Sequence, residues 1–129
     1  MIFVIGGQYV GKLEYALSIS NKTIDDVVDC ATCEYSDIYN KSIIYNFHML
    51  IKRLIEDGIK DKEIKRKILE FIDNNEDIYI ISNEIGYGLV PIEKFDRRYR
   101  ELVGRISCEI AKSAIEVHRV VCGVGNRIK

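Results

Sequence analysis

Short apolar runs alternate with longer amphipathic ones along this chain, and that rhythm predicts most of its elements. Ile2 to Ile5 suits a buried strand, and Lys12 to Ser20 follows as a helix with Leu13, Ala16 and Leu17 on one side. Val27 and Val28 predict a brief strand, and Ser42 to Tyr45 another, leading into a helix from Phe47 to Glu56 that ends before Gly58. Asp61 to Asn74 spaces Ile64, Ile68, Leu69 and Ile72 by three and four, as an amphipathic helix does. Lys60 or Asp61 is its expected N-cap, and the NNED run its stop. The consecutive apolar residues of Asp77 to Ser82 suit a strand covered on both faces. After the loop NEIGYGLVP comes a long helix from Glu93 to Ala114, then a last strand from Glu116 to Cys122, with GVGNRIK closing the chain.

Strands alternating with helices predict an α/β fold, a mostly parallel sheet flanked by helices. Ligands of such sheets bind at the carboxyl ends of the strands, where the glycine loops at 6–11 and 83–90 are both expected. No internal repeat, low-complexity segment or long linker divides the sequence, so residues 1–129 read as a single domain.

Composition narrows the function classes. The 129 residues are 47% hydrophobic and 30% charged, with one proline, which are globular values. A net charge of −1 gives no sign of a nucleic-acid or anionic-membrane partner. The basic residues of IKRLIEDGIKDKEIKRK are interleaved with acidic ones, as on a solvated helical face. No apolar run approaches the roughly 18 residues of a membrane span. MIFVI is too short, and too uncharged at its start, for a signal peptide, so a cytoplasmic location is expected. Cys30 and Cys33 form one CATC pair, while Cys108 and Cys122 stand apart, so the second close pair of a zinc ribbon is missing. A redox CxxC would want an oxidoreductase frame, and none is visible, so ordinary reduced thiols rather than metal or redox chemistry are the expectation, and no residue is assigned as a metal ligand.

The candidate chemistry starts at GGQYVGKL, residues 6 to 13. Glycines let a backbone wrap a phosphate with its N–H groups while the next helix points its positive end at the same place. Gly6, Gly7, Gln8, Tyr9, Val10 and Gly11 would form that cradle, and Lys12 would supply a cation for the terminal phosphates. Strand before and helix after give the pattern its context, that of a phosphate-loop NTPase-like domain. Leu13 departs from it, because the serine or threonine expected there is a magnesium ligand. Magnesium would then be held weakly or through water. Asn46 ends the strand 42–45 with a neutral group where an acid is expected, and Glu84 is the acid best placed at the ligand edge after the strand 77–82. Of the two histidines, His48 follows a strand near that edge, whereas His118 lies inside the last strand as a packing residue. Arg97, Arg98, Arg100 and Arg105 share one helix, with Glu93, Asp96, Glu101 and Glu109 as expected ion-pair partners.

The stretch from Ser82 to Lys129 adds a resemblance. SNEIGYGLVP at 82–91, RRYRE at 97–101, Gly104 with Arg105, and VVCGVGNRIK at 120–129 together resemble the C-terminal segment of the adenosylcobinamide kinase / adenosylcobinamide-phosphate guanylyltransferase family. With the front loop, the likeness spans somewhat over half the chain. It implies a phosphate-loop α/β fold, usually in a trimer, with GTP or ATP as nucleotide and a corrinoid, adenosylcobinamide, as acceptor. The implied reactions are phosphorylation of the acceptor's hydroxyl and transfer of GMP from GTP through a covalent GMP-histidine.

Carried over residue by residue, Gly6 to Lys12 match the family loop. Leu13 replaces its serine, Asn46 falls where its acid belongs, and the interval NKTIDDVVDCATCEYSDIYNK holds no histidine. His48, near the edge, is then the candidate to replace the missing nucleophile, against a packing role at the helix start. The sequence leaves open an enzyme with weakened or altered catalysis, with Lys12, Glu84 and His48 as its catalytic side chains, a nucleotide- or corrinoid-binding module without turnover, and a purely structural domain.

Overall fold

The computed structural model describes residues 1–85 and 93–129. Its sheet has six strands in the order β2-β3-β4-β1-β5-β6. In chain order these are β1 (Ile2–Gly6), β2 (Val27–Asp29), β3 (Ile43–Tyr45), β4 (Tyr79–Asn83), β5 (Glu116–Val121) and β6 (Val124–Arg127). The helices are α1 (Lys12–Ser20), α2 (Phe47–Glu56), α3 (Asp61–Asp73) and α4 (Lys94–Ser113). The first five strands run parallel, and β6 returns antiparallel beside β5.

β1 lies at the centre of the sheet between β4 and β5, and helices cover both of its faces. Phe3 belongs to the large core under α2, α3 and α4, and the next residue, Val4, to a smaller core under α1 with Ala16, Ile43, Ile81 and Val120. That alternation explains why β1 and β4 read as unbroken apolar runs. α2 and α3 contribute their apolar stripes, Leu50, Ile51 and Leu54 with Ile64, Ile68 and Phe71, to the large core.

Two features differ from expectation. GVGNRIK is not a loose end: it turns at Gly123, which has φ +78°, and forms β6. The segment 21–42 carries two short 3₁₀ turns, Ile24–Asp26 and Tyr35–Asn40, with reciprocal Thr23/Asp26 and Glu34/Asp37 capping. Hydrophobic periodicity cannot announce such turns, because they are fixed by side chains bonding to local backbone. The N-cap of α3 is Lys60, without a side-chain bond. Of the loop 83–90, the residues from Gly86 on lie outside the described residues.

Candidate functional site: a glycine loop at the carboxyl edge of the sheet

The register places Gly6 opposite Asn83 on one side and Val120 on the other, at the carboxyl ends of three parallel strands. The chain is tight there. A β-carbon on Gly6 would stand 2.5 Å from the Val120 carbonyl oxygen, and the Gly6 carbonyl accepts the Glu84 N–H at 2.9 Å. Gly11 caps α1 in the left-handed region at φ +83°, a conformation that favours glycine. Tyr9 also has positive φ and projects into solvent, 94% exposed. The loop is tied to the β5–β6 turn by the Gly123 N–H donating to Val10 O at 2.8 Å.

Lys12, the first residue of α1, is buried, and its Nζ donates to Gly7 O at 2.6 Å, closing the loop on itself. Burial pushes its pKa down, against the attraction of the Glu84 and Glu14 carboxylates. Leu13 points its half-buried side chain toward the apolar cluster beneath α1. Gln8 and Gly7 are exposed, and Val10 is half-buried.

His48, in the first turn of α2, is buried beside this loop. The Asn83 backbone N–H donates to its Nδ1 at 3.2 Å, so the neutral ring carries its proton on Nε2. Burial, then the Lys12 charge, pushes its pKa down to about 4, with Asp29 pulling the other way. Lys12 therefore lies within electrostatic reach of both Glu84 and His48 at this edge.

Asn46 caps α2 at φ 56° and donates from Nδ2 to Asp29 Oδ1 at 3.0 Å. The edge is not without an acid beside β3: the carboxylate comes from β2, and Asn46 orients it. Asp29 went unread in the sequence, although an acid directly after Val27 and Val28 is a strand-end signal. Glu84 is gripped by Arg119 of β5, Nε to Oε1 at 2.7 Å and Nη2 to Oε2 at 3.2 Å, a pairing across 35 positions that spacing could not reveal. Next to this pair is a largely apolar cavity of about 530 Å3, with Phe3, Ile5, Ile85 and Cys108 among its lining residues.

His118 packs away from the edge, with Nδ1 at 2.7 Å from Tyr15 Oη and Nε2 at 2.7 Å from Glu116 Oε2, as a packing residue should. On α4, Arg105 pairs with Glu101 as expected. Arg98 does not pair within its own helix: it reaches Asp61 at the start of α3 at 2.6 Å and the Ile59 carbonyl at 3.1 Å. Among the described residues no group of three or more His, Cys, Asp or Glu is arranged to hold a metal, and no helix is long and apolar enough to cross a membrane.

The residues at the edge suit a polyphosphate in kind: a glycine loop leading into a helix N-terminus, with the Lys12 ammonium behind it. They fit magnesium less well, since Leu13 offers no oxygen and the Glu84 carboxylate is already engaged by Arg119.

Comparison with known proteins adds the ancestry. Two curated proteins, each described as the bifunctional adenosylcobalamin biosynthesis protein CobU, from Escherichia coli strain K12 and Salmonella typhimurium strain LT2, are 38% identical to this chain over 52 residues. That stretch is 40% of this chain and 29% of each relative, so under a third of the relatives' length is matched. The family model described as cobinamide kinase / cobinamide phosphate guanyltransferase matches residues 40–128, which include Asn46, His48, Glu84 and Arg119. With most of its length so matched, the chain belongs to the cobinamide kinase / cobinamide phosphate guanyltransferase family.

Proposed function

We propose that this protein binds a nucleoside triphosphate, GTP or ATP, in the loop Gly6–Lys12 and transfers its terminal phosphoryl group to the hydroxyl of a cobinamide-type acceptor. The observation that carries this is the convergence of Lys12, His48 and Glu84 behind a glycine loop at the carboxyl edge of a parallel sheet. In that reading Lys12 releases Gly7 O and turns to the phosphates. His48, neutral at physiological pH, offers Nε2–H to a phosphate oxygen. Phosphoryl transfer demands positioning and charge stabilisation more than covalent chemistry, and these groups supply both. The Glu84–Arg119 pair stands beside the apolar cavity, whose volume suits the acceptor's side chain rather than a whole corrinoid ring. Any magnesium would be carried mainly by phosphate oxygens and water, with catalysis weaker than in a site holding a direct ligand.

The guanylyl-transfer half of the family reaction is less well supported. A histidine nucleophile needs a free lone pair aimed at the α-phosphorus. Here Nδ1 accepts from Asn83, and Nε2 carries the proton. His48 is therefore a hydrogen-bond donor in this proposal, not the GMP carrier. A binding module without turnover is the second reading, favoured by Leu13. A cytoplasmic homo-oligomer, a trimer as in the resemblance, accords with the apolar exposure of Val121, Val124 and Ile128 along the β5–β6 edge.

The test is isothermal titration with GTP, ATP and GDP, with and without magnesium, on the parent and on Lys12→Ala. Mass spectrometry after incubation with GTP and cobinamide follows. Triphosphate binding lost in Lys12→Ala, phosphorylated cobinamide, and no GMP on His48 are expected. Binding without product would establish the second reading; no binding of any nucleotide would overturn the first, and no binding of cobinamide as well would overturn both.

A further inference from the structure

The CATC turn takes no part in the site just described, yet the fold brings its thiols together. Thr32 and Cys33 both donate their N–H to Asp29 O, at 3.1 and 3.0 Å, so the chain makes one tight turn as it leaves β2. Residues three apart on such a turn share a side. One nitrogen then fastens the two ends: Arg53 Nη1 donates to Cys30 O at 3.0 Å and to Cys33 O at 2.6 Å. The two cysteines differ in access, Cys30 being fully buried and Cys33 half-exposed.

We propose that Cys30 and Cys33 form a reversible intrachain disulfide, making the turn after β2 a site of thiol–disulfide exchange with low-molecular-weight disulfides of the glutathione type. β-Carbons about 5 to 6 Å apart on a helical turn must close to about 4 Å for the bond. A short turn outside any helix or strand can make that adjustment.

Exchange begins at Cys33, the accessible thiol. Its sulfur, after losing a proton to solvent, attacks one sulfur of the small disulfide RSSR and expels RS⁻, which is protonated to RSH. The Cys33–S–S–R sulfur is then attacked by Cys30, whose proton also leaves to solvent; the Cys30–Cys33 bond forms and the second RS⁻ departs as RSH. Two cysteine thiols are oxidised by two electrons, and RSSR is reduced to two RSH. Burial pushes the Cys30 thiol well above its ordinary pKa, with Cys33 and Asp29 adding to the effect and Arg53 opposing it. A sulfur that ionises poorly attacks slowly and is also a poor leaving group, so the disulfide should both close and reopen slowly, reopening by attack of a small thiol on the accessible Cys33 sulfur.

This inference does not rest on nucleotide binding. Trypsin releases Cys30 and Cys33 on one peptide, Thr23–Lys41, that contains neither Cys108 nor Cys122. The folded protein would be incubated with glutathione disulfide, quenched in acid, alkylated, digested and analysed by mass spectrometry. The expected product is Thr23–Lys41 short of two hydrogens, carrying no glutathione and no alkyl group, while exposed Cys108 and Cys122 carry single adducts. Cys30→Ser should trap glutathione on Cys33, and Cys33→Ser should leave Cys30 unmodified in the folded protein, so failure of either variant to fold leaves the other test standing. Recovery of Thr23–Lys41 from the parent with both thiols alkylated, or with a Cys33 adduct that never closes, would overturn the proposal.

Discussion

Asn83 donates its backbone N–H to Nδ1 of His48 at 3.2 Å, joining the end of β4 to the first turn of α2. Burial, then the nearby Lys12 charge, favours a neutral ring, whose pKa falls to about 4, and the neutral ring is the form that can accept this bond at Nδ1. An unfolded histidine titrates near 6.5. Above that pH both states are neutral and His48 contributes nothing to the pH dependence. As pH falls from 6.5 to 4 the unfolded chain takes up a proton that the folded one refuses, so stability declines across that window by about 3 kcal/mol in all. Urea unfolding of the parent and of His48→Gln at pH 7 and pH 4.5 checks this: the variant should lose distinctly less stability on acidification. Equal losses would mean that His48 titrates normally.

Much of the fold was legible because it is written in periodicity. The strands β1, β3, β4 and β5 and all four helices fall within two residues of the boundaries expected from apolar spacing. The edge was legible in part: the loop, Lys12, His48 and Glu84 stand together. What could not be read is pairing across the chain. Asp29 with Asn46, Arg119 with Glu84, and Arg98 with Asp61 join residues 17, 35 and 37 positions apart, and only the sheet order, or for the last pair the packing of α4 on α3, makes them neighbours. β6 was missed because its sequence, VGNR, has little β propensity; a tight turn and the β5 edge form it.

The glycines of the loop are not equivalent. A β-carbon on Gly6 would collide with the Val120 carbonyl at 2.5 Å, a backbone atom held in the sheet, whereas on Gly7 it would make an ordinary contact with Val10 at 3.7 Å. Gly6→Ala should therefore destabilise by about 1–3 kcal/mol, the range for overpacking. Gly7→Ala should leave the melting temperature unchanged or slightly raised, since it only restricts the unfolded chain. Thermal melts of the two variants decide this. Equal effects would mean that the β1–β5 approach is looser than described.

Tyr15 links α1 to the C-terminal hairpin in two ways. Its hydroxyl lies 2.7 Å from His118 Nδ1, and its ring lies where a β-carbon on Gly125 would fall, 2.0 Å away. Tyr15→Phe removes the bond and should cost about 1 kcal/mol. Gly125→Ala must displace the ring and so break the same bond. In a double-mutant cycle measured by urea unfolding, the combined cost should therefore fall short of the sum of the two single costs. Strict additivity would show that Gly125→Ala acts elsewhere.

Lys12 sets function against stability most directly. Its ammonium is buried and bonded to Gly7 O, and the lowered pKa means that its surroundings disfavour the charge it carries. Methionine keeps the length of the stem and its packing while removing the charge that needs solvation. Lys12→Met should thus melt at or above the parent temperature while losing affinity for triphosphate by at least tenfold, read by calorimetric titration beside thermal melts. A lower melting temperature would show that the Lys12–Gly7 bond is needed to hold the loop closed. Unchanged triphosphate affinity would remove the lysine from the phosphate site, and with it the reason to read GGQYVGKL as a cradle.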